Sequence, residues 1–142
     1  MTIQILIVDD RAVVRKELRN VLDLSGTITI VGEAAGGQEA IMKAVALKPD
    51  IVLMDLEMPG LDGFEATRQI KALQLARKVI AFTVYADAHH EQKAKEAGAD
   101  AFVVKGTDVC TLLDLFEKLV NQPDRSHELQ EGENDLTRGI NA

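Results

Sequence analysis

The chain has 142 residues, 46% hydrophobic and 27% charged, which is the length of one ordinary domain with enough apolar material for a core. Lys and Arg number 16 against 23 Asp and Glu, and this net charge of −7, with no Trp, one Tyr and four Phe, argues against direct nucleic-acid binding. No apolar run approaches the ~18 residues of a membrane span, Met1-Thr2-Ile3-Gln4 lacks a basic n-region, and the lone Cys110 fits a reducing cytoplasm.

Five short runs rich in Val and Ile read as strands buried on both faces: Ile3–Val8, Ile28–Gly32, Ile51–Met54, Val79–Thr83 and Ala101–Val104. Helical spacing fills the intervals. Val14, Leu18, Val21 and Leu22 form one apolar stripe, Ile41, Ala44 and Val45 a second, and Ala66, Ile70 and Leu73 a third. Asp87–Gly98 is a weakly anchored helix whose inner face holds mainly Ala94 and Ala97. The last helix carries Val109, Leu112, Leu113, Phe116 and Val120. Such alternation predicts an α/β fold, a parallel sheet with helices on both faces, and right-handed crossovers favour the flavodoxin-like strand order 2-1-3-4-5. Periodicity stops after Val120. Residues 1–121 are therefore expected to form the domain, and 122–142 a polar acidic tail that is mostly disordered.

Ligands of open α/β sheets bind beyond the carboxyl ends of the strands. Asp9 and Asp10 follow the first strand, Asp55 the third; Thr83 ends the fourth and Lys105 follows the fifth. Each has an ordinary role in isolation: Asp9-Asp10 as a helix N-cap, Asp55 as a turn residue, Thr83 as a strand former, Lys105 as a solvated lysine. Ordinary roles do not explain why these strand ends are chemically complementary. Three neighbouring carboxylates repel one another and raise their own pKa values, and a hard divalent cation, best Mg²⁺, relieves that repulsion.

The segment Met54-Asp55-Leu56-Glu57-Met58-Pro59-Gly60-Leu61-Asp62-Gly63-Phe64-Glu65, with Leu6-Ile7-Val8-Asp9-Asp10 and Val103-Val104-Lys105, resembles the receiver domain of bacterial two-component response regulators. The spacings agree: 45 residues from Asp10 to Asp55, 28 to Thr83 and 22 more to Lys105. The likeness runs from about Ile3 to Val120 and implies a CheY-like three-layer α/β/α sandwich of five strands and five helices. In the local loop, Pro59-Gly60 makes a turn, and Asp62 with Glu65 has capping-box spacing.

What the resemblance implies is specific. Asp55 would accept a phosphoryl group from a sensor histidine kinase or phosphotransfer protein. Mg²⁺ would be held by Asp10 and Asp55 directly, by Asp9 through water, and by the backbone carbonyl of Glu57. Lys105 and the Thr83 hydroxyl would hold phosphoryl oxygens, and Phe102 would be the switch aromatic that rotates inward as Thr83 moves. The output protein, or a second copy of the chain, would dock on an α4-β5-α5 face made of Asp87–Gly98, Ala101–Val104 and Val109–Val120, with Tyr85, a further switch residue, at its edge. The expected activity is that of a signalling switch with only self-phosphorylation and autodephosphorylation chemistry. Glu57 and Tyr85, an acidic and a bulky residue two positions after Asp55 and Thr83, hinder an attacking water in this reading and imply slow dephosphorylation. Gly106 stands where the family usually has proline in a cis peptide, and the high cost of a non-proline cis bond makes trans the expectation.

Cys110 is expected to be an inert small side chain, and His89 and His90 solvated surface residues. Three other functions fit the sequence less well. A flavodoxin-type cofactor site needs a glycine- and hydroxyl-rich loop, whereas Asp9-Asp10-Arg11 carries the wrong charge. A phosphatase with an aspartate nucleophile needs Asp-x-Asp after the first strand. A receiver-like module that is never phosphorylated is expected to lose an acid or the lysine, and both are present here. Nothing after Val120 is long or basic enough for a helix-turn-helix output, so the chain is expected to be either a stand-alone receiver or the receiver portion of a longer regulator. Lys105-Gly106 and Gly32-Glu33-Ala34 resemble receivers of longer helix-turn-helix regulators, which is the alternative.

Overall fold

The structure is a computed structural model that describes residues 2–123. Strands and helices alternate as β1 Ile3–Val8, α1 Ala12–Asp23, β2 Ile28–Ala34, α2 Gly37–Leu47, β3 Ile51–Asp55, α3 Gly63–Ala72, β4 Lys78–Thr83, α4 Ala88–Ala97, β5 Ala101–Val104 and α5 Val109–Val120. All the strands pair in parallel, in the order β2-β1-β3-β4-β5. The expected tail falls almost wholly outside the described residues.

Alternation along the strands divides the core. Ile5, Ile7, Leu53, Ile80 and Phe82 face Leu22 of α1 and Leu112, Phe116 and Leu119 of α5. Leu6, Val8, Val52 and Met54 face Ala40 and Ala44 of α2 and Ala66 and Ile70 of α3. Covered on both sides, the central strands need apolar residues at every position, which is why their runs are continuous. A smaller cluster joins Ala94, Ala97 and Ala99 to Leu56, Phe64 and Ala81. Alanine gives α4 little area to bury, so it is held more weakly than α5.

Several helical residues differ from expectation. Val21, Val45 and Leu73 are exposed, while Leu22, Ala44 and Ile70 are buried beside them. The contacting stripe is narrower than the apolar one. Leu73 is the C-cap residue, beyond the last helical turn. Leu119, absent from the expected stripe of α5, is buried.

β2 runs two residues past its apolar stretch because it is an edge strand, where Glu33 reaches Arg15 and Arg19 of α1 at 3.1 and 2.7 Å. A register shift between Ile5 and Leu6 accommodates Val31. β4 begins one residue earlier than its apolar run, at Lys78. That side chain is buried, and its Nζ donates to the Pro123 carbonyl at 2.6 Å, just beyond α5.

Candidate functional site

The polar strand ends converge on one rim. Asp9 continues β1, its N–H donating to the Ala34 carbonyl at 3.0 Å. Its side chain is almost fully buried: Oδ1 accepts the Arg11 N–H at 2.9 Å and Oδ2 accepts Lys105 Nζ at 2.6 Å. The Asp9 carbonyl accepts Arg15 Nη1 at 2.5 Å, an anchor absent from the sequence reading. Asp10 is exposed. Neither aspartate is the N-cap of α1, since that position belongs to Arg11 and carries no side-chain cap. The Asp10 carboxylate is thus not committed to a helix cap.

Asp55 is the last residue of β3, with 5% of its surface exposed. Its Oδ1 accepts a long bond from the Glu57 N–H at 3.4 Å and lies 3.5 Å from Lys105 Nζ. Burial, then the Asp9 charge, raises its pKa to about 6, with Lys105 pulling the other way. The shift shows that a single ammonium under-compensates the negative charge gathered here.

Gly63 sets how tightly the next loop closes behind Asp55. A Cβ at that position would lie 2.0 Å from the Asp55 carbonyl oxygen and 2.7 Å from Leu56 Cα. Only glycine lets α3 begin so close to the strand end. The turn is sharpened by Gly60 at φ +78°, and Asp62 caps α3 by accepting the Glu65 N–H at 2.9 Å. Only this half of the expected capping box forms, because the Glu65 carboxylate accepts from Arg68 and Gln69 instead.

Thr83 is wholly buried at the end of β4; its Oγ1 accepts the Tyr85 N–H at 3.2 Å and its carbonyl accepts the Lys105 N–H at 2.7 Å. The Lys105–Gly106 peptide is trans, as no cis bond occurs among the described residues, and Gly106 takes φ +99°. Phe102 is half-buried against the alanine cluster and lines a 180 Å³ hollow with Glu91, Ala94 and Lys95.

Asp9, Asp10, Asp55 and Lys105 are brought together, with Thr83 and Glu57 on the same rim. Carboxylate oxygens of the three aspartates lie within 4.8 Å of one another, the one such group of potential metal ligands among the described residues. Hard oxygen donors, excess negative charge and an exposed Asp10 together fit a divalent cation such as Mg²⁺.

Sequence reasoning also missed His90. Rather than standing free in solvent, it lies 3.0 Å from Glu57 Oε1 through Nε2 and 2.7 Å from Asp87 Oδ2 through Nδ1. Asp87 pulls the imidazole pKa above its usual value against desolvation, and Glu57 adds to the rise. In return, His90 holds Asp87 below the ordinary carboxylate range. Asp87 is the N-cap of α4, and an acid three residues before a histidine is the local signal from which the Asp87–His90 contact was readable.

The fold is a doubly wound parallel sheet whose acidic rim and lysine lie at the carboxyl edge, where ligands of such sheets bind. The family model of the response regulator receiver domain matches residues 5–117, and the chain belongs to that family. It is 42% identical over 118 residues to the response regulator protein VraR of Staphylococcus aureus, covering 83% of this chain and 56% of that protein. The chain thus spans little more than half the length of that relative. Among solved structures, the response regulator domain of Thermotoga maritima CheB superposes with TM-score 0.79 at 32% identity, covering 86% of this chain and 98% of that one. A LuxR-family two-component response regulator from Aurantimonas sp. SI85-9A1 gives 0.78 at 34%, covering 94% and 99%. The strand order, the helix count and the receiver reading of the sequence agree with these relatives. The protein is a signalling receiver of two-component systems, and no helix among the described residues is long and apolar enough to cross a membrane.

Proposed function

We propose that Asp55 is the phosphoacceptor, taking its phosphoryl group from a phosphohistidine on a sensor kinase or phosphotransfer protein in the cytoplasm. The observation that carries this reading is the buried Asp55 carboxylate flanked by Asp9, Asp10 and Lys105. An Asp55 oxygen forms a bond to phosphorus while the phosphorus–nitrogen bond of the donor breaks, and the electron pair returns to the imidazole. Asp10 and Asp55, the Glu57 carbonyl and, through water, Asp9 would hold Mg²⁺. The ion shields the anionic carboxylate from the anionic donor when bound.

Lys105 pairs with one phosphoryl oxygen, and the Thr83 hydroxyl turns from the Tyr85 N–H to another. Two or three charge-assisted hydrogen bonds, at roughly 1.5–3 kcal/mol each, suffice to shift a two-state equilibrium decisively. Phe102, on β5 and packed against the alanine cluster of α4, belongs to the α4-β5-α5 face, where an output protein or second copy docks. The chain acts as a switch and turns over no external metabolite. The 56% coverage of VraR favours a second reading in which this receiver is part of a longer regulator.

Acetyl phosphate and Mg²⁺ should add about 80 Da, one phosphoryl group, by intact mass. Asp55→Asn should abolish the gain; a persistent gain in that variant without migration to another residue would reject Asp55 as acceptor.

A further inference from the structure

One side chain joins the two loops beside Asp55. His90, in the first turn of α4, contacts Glu57 at 3.0 Å and Asp87 at 2.7 Å, and its ring stacks on Tyr85 with centroids 4.9 Å apart and planes 14° apart. Glu57 belongs to the loop after β3, and Tyr85 and Asp87 to the loop after β4. Parallel register sets these loops side by side, because Asp55 pairs with Phe82. The Glu57 side chain is half exposed and Tyr85 nearly so, and neither has core packing to fix it. The imidazole touches both.

We propose that His90 is a positioning residue for loss of the phosphoryl group: by holding Glu57 beside Tyr85 it narrows the approach of water to phosphorylated Asp55 and prolongs its life. This rests on the reading of Asp55 as phosphoacceptor. In hydrolysis, the water oxygen forms a bond to phosphorus as the bond from phosphorus to the Asp55 oxygen breaks. The electron pair returns to the carboxylate, inorganic phosphate leaves, and the water's proton passes to solvent. Attack is in line, so the water must enter from outside the rim. Asp9 and Lys105 border Asp55 on one flank, and the Glu57 loop, whose N–H lies 3.4 Å from Asp55 Oδ1, borders it on another. Without His90, the Glu57 side chain rotates freely and the entrance widens.

His90→Ala keeps the backbone bond from residue 90 to Asp87 Oδ1, 2.9 Å in the structure, so the start of α4 is retained. Wild type, His90→Ala, His90→Gln, Glu57→Ala and the double alanine variant are loaded with acetyl phosphate and Mg²⁺, desalted, and followed by intact mass. His90→Ala should lose phosphate about threefold to tenfold faster, about 0.7–1.4 kcal/mol of barrier. Its loading rate and Mg²⁺ affinity should stay unchanged. Glu57→Ala should match it, the double variant should be no faster than either single one, and His90→Gln should recover part of the lifetime. An unchanged lifetime in His90→Ala, additive effects in the double variant, or equal changes in loading and loss would overturn the proposal alone. Failure of the wild type to gain mass would overturn the phosphoacceptor reading and the proposal with it.

Discussion

Lys105 Nζ sits 2.6 Å from Asp9 Oδ2 but 3.5 Å from Asp55 Oδ1, so the one ammonium at the rim is shared unequally between two buried carboxylates. Asp9 takes the short contact and also accepts the Arg11 N–H, while Asp55 is left with long ones. Charge left uncompensated at a buried nucleophile favours any ligand that brings positive charge to it.

This imbalance has a pH signature. The Asp55 pKa is raised from 3.8 to about 6, so the folded state binds its proton more tightly than the unfolded chain. Its contribution to stability is full below pH 3.8 and is lost as pH rises through about 6. Asp55→Asn, which cannot ionise, should match wild type near pH 3.5 and exceed it at pH 7.5 by about 1–2 kcal/mol, allowing for solvent screening at the open rim. Urea denaturation without divalent ions at both pH values measures this; an equal difference at the two would reject it.

Metal affinity should depend more on Asp10 than on Asp9. Asp10 is exposed and committed to no helix cap, whereas Asp9 is already bonded to Lys105 and Arg11. Calorimetric titration of Mg²⁺ should show a loss of roughly tenfold or more in Asp10→Ala, and a smaller one in Asp9→Ala. The reverse order would assign the direct ligand to Asp9.

Gly63→Ala should damage the site although residue 63 carries no chemistry. Its new methyl would stand 2.0 Å from the Asp55 carbonyl, which is backbone and has no rotamer to yield. We expect about 1–3 kcal/mol of destabilisation in chemical unfolding, together with weaker Mg²⁺ binding. Wild-type stability in this variant would mean that the loop behind Asp55 is free to move.

Thr83→Ala should separate phosphorylation from response. The hydroxyl accepts the Tyr85 N–H and touches no aspartate of the rim in this structure, so acquisition of phosphate should persist. Amide exchange with and without beryllofluoride and Mg²⁺ should change across residues 84–118 in wild type, and much less in Thr83→Ala. Changes confined to 12–24 would place the output face elsewhere.

The fold was legible because a sheet covered on both faces writes itself as uninterrupted Val and Ile runs, and because the short links between them leave few topologies. The rim was legible for a related reason: parallel strands deliver their carboxyl ends to one edge, so residues 45, 28 and 22 positions apart become neighbours by topology alone. Local sequence also marked Asp62 and the thin alanine face of α4. Tertiary structure decided the rest. The unequal division of Lys105 between Asp9 and Asp55 depends on side-chain reach across strands. The burial of Lys78 depends on where α5 ends. His90, read from its neighbours as a solvated residue, became the link between two loops only when β3 and β4 placed Glu57 opposite Asp87, a distance in space that no spacing along the chain encodes.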